Sequence, residues 1–205
     1  HMSMNIVALF SEKAYNMICA FLGANWYAVV ATIALGALTV AHIVYAFILT
    51  AQNRSARGNE RYAVNGSSPK VEWASKNMLV LGIIVLLGIL LHLFNFWYNM
   101  MFAEIVGFEG KYSPTAGYSY IVETFKNPVF VVLYIVWLCA IWYHLSHGFW
   151  SAMQTLGING KIWFKRWKMI GLVYTTLLML GFLIVVLAFT FGCAPSLHSA
   201  CCLIH

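Results

Sequence analysis

The sequence predicts an all-α fold: a transmembrane bundle of five helices, forming one membrane domain over residues 1–205. Three observations carry that expectation. Hydrophobic residues make up 62% of the chain and charged residues only 9%, with a mean hydropathy of +0.79; soluble domains carry about 25% charged residues. The apolar residues run in long unbroken stretches, whereas a membrane barrel would show alternating segments of ~10 residues. Finally, the basic residues are gathered into two of the connecting segments. A soluble globular enzyme, a disordered chain and, despite a pI near 9.1, a nucleic-acid binder are thereby excluded.

Taken in chain order, residues 1–10 are apolar but too short to span, and no basic flank precedes them. They read as the second half of a helix whose first half is truncated in this chain. Four stretches reach the ~20 residues that a bilayer requires: Trp26–Thr50, Met78–Met101, Pro128–Gln154 and Trp167–Phe191. Aromatic residues mark their ends as an interfacial belt would (Trp26, Tyr27, Trp97, Tyr98, Trp163, Trp167). Pro128 suits a first helical position, and Gly157 the residue just past a helix end.

Inner loops are expected at 51–77 and 155–166. The first holds Arg54, Arg57, Arg61, Lys70 and Lys76. The second holds Lys161, Lys165 and Arg166, with Lys168 just beyond. The other connections hold only Lys13, Lys111 and Lys126. That asymmetry places both basic loops in the cytoplasm and the C-terminus outside, in a multi-pass membrane protein. Among the cysteines, Cys193 could bridge to Cys201 or Cys202 in an oxidising space. No C-x-x-C-H is present, which excludes covalent haem attachment of the c type.

Seven histidines accompany only six acidic residues. His42 and His144 lie on helices descending to the basic loops, each sixteen residues from the helix start. His92 lies nine residues before Met101, and His1 nine before Phe10, both on rising segments. Two pairs at two depths result, His42 with His144 and His1 with His92, their levels about 10 Å apart. Paired imidazoles from facing helices are what a six-coordinate haem iron takes as axial ligands, so these four are candidate metal ligands for two haems b. A proton relay or haem-free transporter is the competing reading, but no acidic or basic residue lies at mid-membrane. Gly88 and Gly148 lie one turn from His92 and His144, either leaving room for a flat macrocycle or permitting close helix packing. His147 lies a turn beyond His144, suited to a haem propionate or to a helix–helix hydrogen bond. His198 and His205 look incidental to the bundle.

The run His144-Leu-Ser-His-Gly-Phe-Trp-Ser-Ala-Met-Gln-Thr-Leu-Gly157 resembles the fourth-helix signature of the two-haem cytochrome b subunit of succinate dehydrogenase and fumarate reductase. In that family the ligand is followed by glycine four residues on and by another at the helix exit, and Gly148 and Gly157 keep both. The segment His1–Asn5 resembles the ligand-bearing end of the family's first helix. His42 and His92 fall where its second and third helices carry theirs. The resemblance implies five helices, two bis-histidine haems b, and flavoprotein and iron–sulfur subunits docked on the cytoplasmic face. It also implies electron exchange with a membrane quinone, expected to be menaquinone, while the dicarboxylate chemistry belongs to the flavoprotein. Some members carry a glutamate two residues before the fourth-helix ligand; here that position is Trp142. Asn95 and Asn99, on the His92 face, with Glu104 beyond them, are candidates for the quinone headgroup or are simply interfacial polar residues. A cytochrome b serving a hydrogenase or formate dehydrogenase is the nearest alternative, though it lacks this fourth-helix run.

Overall fold

A computed structural model describes residues 1–197 apart from 24, 58–72, 109, 159 and 195. Most of the long basic loop therefore lies outside the described residues, with Arg61 and Lys70. So do His198, His205, Cys201 and Cys202, and with the last two the expected Cys193 bridge. Among the described residues every regular element is helical.

Hydrophobic stretches of this length bury their backbone polar groups only by pairing them within the segment, which makes helices obligatory in lipid. Helix α1 spans Met2–Phe10 and α2 spans Glu12–Gly23. Helix α3 spans Trp26–Arg57, α4 is the single turn Trp73–Lys76, and α5 runs Met78–Val106. Helix α6 spans Gly117–Lys126, α7 spans Pro128–Thr155 and α8 spans Lys161–Thr190. Four of these (α3, α5, α7 and α8) are long and apolar enough to cross a membrane, with mean hydropathies of 2.0 to 2.6. The fifth expected helix corresponds to α1, which at nine residues does not span by itself.

The ends of the spans move outward from the sequence expectation. Helix α3 continues seven residues past Thr50, and α8 begins at Lys161 rather than Trp167. Hydropathy marks only the part of a helix that sits in hydrocarbon, and the backbone ladder runs on into the polar boundary under long basic side chains. At the start of α7, Asn127 accepts a hydrogen bond from the Val129 backbone N–H, and Pro128 fills the first helical position. At its other end Gly157 adopts a left-handed φ of 76°, closing the helix without the steric cost a Cβ would bring. The chain then reverses into α8. Helices α2 and α6 were not foreseen, being short amphipathic pieces without a span's apolar run.

Packing is uneven along the bundle. Helices α7 and α8 lie side by side, α5 packs on α7, and α1 lies along α8. The main core collects at the end away from the 156–160 turn. It includes Ala8, Tyr15, Tyr118, Ile121, Phe125, Tyr134, Val185 and Phe189. Among the described residues, the end carrying the basic residues, here the basic end, holds only Ala74, Leu81 and Ala140 as buried apolar residues. Helix α3 stands apart. None of its most apolar stretch is buried, and its principal backbone neighbour is α2.

Three elements are tied together at the opposite end. The Tyr118 hydroxyl lies 2.9 Å from Ser196 Oγ, which itself donates to the Ala8 carbonyl at 2.8 Å. Since the serine proton goes to Ala8, Tyr118 is the donor of the first bond. Both groups are buried. Ser196→Ala should cost about 1–3 kcal/mol, because it strands a buried hydroxyl and a carbonyl together. Thermal unfolding in detergent micelles, compared with Leu177→Ala on the exposed face, reads that loss directly.

Candidate functional site

Two histidine pairs form between helices, each joining a half-buried ring (His92, His144) to an exposed one (His1, His42). The His1 and His92 rings have centroids 5.7 Å apart with planes at 76°. The His42 and His144 rings lie 6.2 Å apart at 84°. These are the two pairs expected from depth, drawn from four separate helical segments. Two imidazoles bound on opposite sides of one metal at about 2.0–2.1 Å place their centroids about 6 Å apart.

The two pairs occupy different levels. A Cβ added to Gly82 would lie 3.8 Å from His144 Cε1, so the His144 ring rests against α5 at Gly82. His92 is ten residues further along the same helix, a rise of about 15 Å at 1.5 Å per residue. Gly82 was not singled out from the sequence, since nothing there says which glycine faces a neighbour's ring.

The donor set decides what could be held. His92 Nδ1 and His144 Nδ1 are buried and have no hydrogen-bond partner. No three or more His, Cys, Asp or Glu side chains converge among the described residues. A metal coordinated by protein alone needs three or four ligands. Two imidazoles suffice where a macrocycle supplies the remaining four, as in haem. Beside Gly148, one turn from His144, a Cβ would meet nothing within 4 Å, so a flat group has room there. Each level thus offers the two imidazoles a bis-histidine haem takes, with the room beside a glycine shown at the His42/His144 level.

Gly88 has a different neighbour. A Cβ there would fall 1.9 Å from Trp137 Cδ1, so the indole takes the room that glycine leaves. His147 stacks edge-on to Trp150 at 4.7 Å, and Lys168 lies 4.4 Å above that indole. Trp142 donates its N–H to Thr176 Oγ1 at 2.9 Å, tying α7 to α8.

Directly after His92 the helix widens into a π-helical stretch, Leu93–Phe102. Such stretches are rare and concentrate at functional sites. Within it Asn99 Nδ2 donates to two backbone carbonyls, Phe94 O at 2.9 Å and Asn95 O at 3.2 Å. Four residues apart, Asn95 and Asn99 share a helix face and line one cavity of about 250 Å³, with Lys111, Tyr112, Tyr120, Glu123 and neighbours. Asn95 is buried and donates to the Tyr134 hydroxyl at 3.4 Å.

Glu104 is not in that cavity. Its carboxylate lies against Gly23 at the end of α2, where an added Cβ would sit 2.9 Å from Oε2. The carboxylate in the cavity is Glu123 of α6, paired with Lys111 and accepting from the Tyr112 hydroxyl at 3.2 Å. Sequence offered no sign of this, since Glu123 is remote in the chain and belongs to an unforeseen helix. The Lys111 hydrogen bond holds the Glu123 carboxyl below its ordinary range, and the same bond raises Lys111. No known protein family, curated protein sequence or solved structure matches the chain.

The depressed Glu123 carboxyl sets a pH dependence. The pair is intact above the ordinary glutamate pKa of about 4.3 and is lost as pH falls through the lower folded value. Amide hydrogen exchange in residues 110–116, corrected for intrinsic rates, should therefore accelerate only in that acid window. In Glu123→Gln it should be fast throughout and lack the transition.

Proposed function

We propose that this chain is the two-haem membrane cytochrome b subunit of a succinate dehydrogenase or fumarate reductase. In that role it would anchor soluble flavoprotein and iron–sulfur subunits and exchange electrons with a membrane quinone. The observation that carries the proposal is the pair of imidazole pairs, at 5.7 and 6.2 Å, set nearly three turns apart along α5. The fourth-helix run from His144 to Gly157 supports the choice of family.

In this reading His1 and His92 hold one haem b, and His42 and His144 the other. When bound, each haem supplies a one-electron iron centre inside the hydrocarbon layer. The chain contributes the rest. Its helices fix the two levels, exclude water, and set each centre's potential through axial ligands and burial. The basic residues Arg54, Lys76, Lys161, Lys165 and Arg166 mark the cytoplasmic side on which soluble partners dock, with the C-terminus on the other.

The cavity beside the His1/His92 pair is the proposed quinone site. Asn95 and Asn99 present amide groups for the headgroup oxygens of a menaquinone-type ring. Glu123, kept ionised by Lys111, is placed to accept a proton at its carboxylate. Glu104 has no part in this.

A reduced-minus-oxidised spectrum of the purified protein tests the reading. It should show b-type α-bands, with one component lost in His92→Ala and the other in His42→Ala or His144→Ala. Absence of any α-band from the unmodified protein sinks the proposal. Quinol oxidation in membranes should fall about ten-fold in Glu123→Gln, which removes the proton acceptor. In Glu104→Gln it should be unchanged.

A further inference from the structure

Between the two histidine pairs stands one large side chain that the proposed function does not use. Trp137 projects from α7 seven residues before His144, about 10 Å along the helix axis. Its pyrrole edge occupies the room left by Gly88: an added Cβ there would lie 1.9 Å from Cδ1 and 2.2 Å from Nε1. Its N–H donates to the Val85 carbonyl at 3.0 Å. Along α5 the order is therefore Gly82 at the His144 ring, Val85 and Gly88 at the indole, then His92. The indole fills the interval between the levels. It also touches the far pair, with its centroid 5.6 Å from the His92 ring at an interplanar angle of 32°.

These contacts define a lock with three parts. The glycine admits the ring, the carbonyl fixes its rotation, and the ring's face sets the plane of His92. The His92 ring also meets Phe96 at 5.2 Å and Tyr134 at 6.3 Å, and Tyr134 in turn meets Trp137 at 5.7 Å. Among the described residues no side chain hydrogen-bonds the buried His92 Nδ1. Its ring is therefore oriented by packing against aromatic rings, and Trp137 is the one anchored by both a glycine notch and a hydrogen bond.

We propose that Trp137, keyed into Gly88, is the positioning residue of the His1/His92 centre: it fixes the His92 imidazole plane and walls that centre off from the His42/His144 centre. The inference rests on the haem reading for its spectroscopic consequence, but the lock itself does not.

The low-spin ferric EPR signal of a bis-imidazole haem depends on the angle between its two ligand planes, so it reads the His92 orientation directly. In the purified full chain, Trp137→Leu and Gly88→Ala should each move one of the two low-spin signals and one of the two midpoint potentials. The signal that moves should be the one lost in His92→Ala, with the His42/His144 signal staying in place. Trp137→Phe, which keeps an aromatic face, should restore most of the original signal. Equal movement of both signals, or of neither, overturns the proposal. In parallel, thermal unfolding of the haem-free chain gives a double-mutant cycle between Trp137→Leu and Gly88→Ala. The two should be strongly non-additive, because either one removes the same lock; additivity overturns the proposal without reference to haem. Absence of any haem signal in the unmodified protein counts against the proposed function, and the cycle then decides this inference alone.

Discussion

A neutral imidazole inside hydrocarbon has two ring nitrogens and no water to satisfy them. That constraint governs the structure. Four histidines on four helical segments meet in pairs that set the relative height of two segments each, while His92 Nδ1 and His144 Nδ1 keep no hydrogen-bond partner. His144 is held between α3 and α5, with Gly82 giving its ring room, and His92 lies between α1 and the aromatic residues of α7. Once the levels are set, what lies between and beyond them follows. Trp137 occupies the interval, and the widened stretch of α5 begins at the upper pair.

The π-helical stretch links the ligand to the cavity. An ordinary helix would carry Asn95 and Asn99 around the axis in steps matched to 3.6 residues per turn. Four residues apart, the two share a helix face, and just past His92 both amides reach one cavity, which Glu123 closes from α6 and Lys111 from the segment before it. Asn99 also bonds the Phe94 and Asn95 carbonyls, so one residue braces the irregular backbone and lines the cavity. In the proposed function this is what puts a quinone headgroup next to one redox centre and within reach of a proton acceptor.

How much of this the sequence disclosed depended on whether a property scales simply with residue number. Helix rise does, so counting from span ends was enough to match His1 with His92 and His42 with His144. Rotation over one turn does so too, so Asn95 and Asn99 read from the sequence as sharing the His92 face; the cavity they line needed the structure. Partners across helices do not scale with residue number at all. Gly88 reads the same whether it faces a macrocycle or an indole, and only the structure supplies Trp137. Glu104 was expected beside Asn99 because it follows in sequence, yet the chain's turn at α6 delivers Glu123 instead. Helix ends were misjudged where basic side chains carried α3 and α8 past the apolar stretch.

The uneven packing has a physical reading of its own. At the end away from the basic residues, α1, α2, α6 and the 194–197 segment interlock through Tyr118, Ser196 and the main core. Among the described residues, buried apolar residues are few toward the basic end, where the His42 ring of α3 meets His144 of α7. A 32-residue helix whose apolar stretch buries nothing gains little from helix–helix packing in lipid, where van der Waals contact is the chief source of association. Its position must then depend on what joins His42 to His144. If a metal bridges them, the half of the bundle nearest the proposed docking face is held by coordination, while the other half is held by packing. The bound group would be structural as well as redox-active at the His42/His144 level, and far less so at the His1/His92 level, where α1 lies against α8 with Met2 at Gly181. Losing His42 should therefore loosen α3 as a whole, whereas losing His1 should leave the surrounding helices in place.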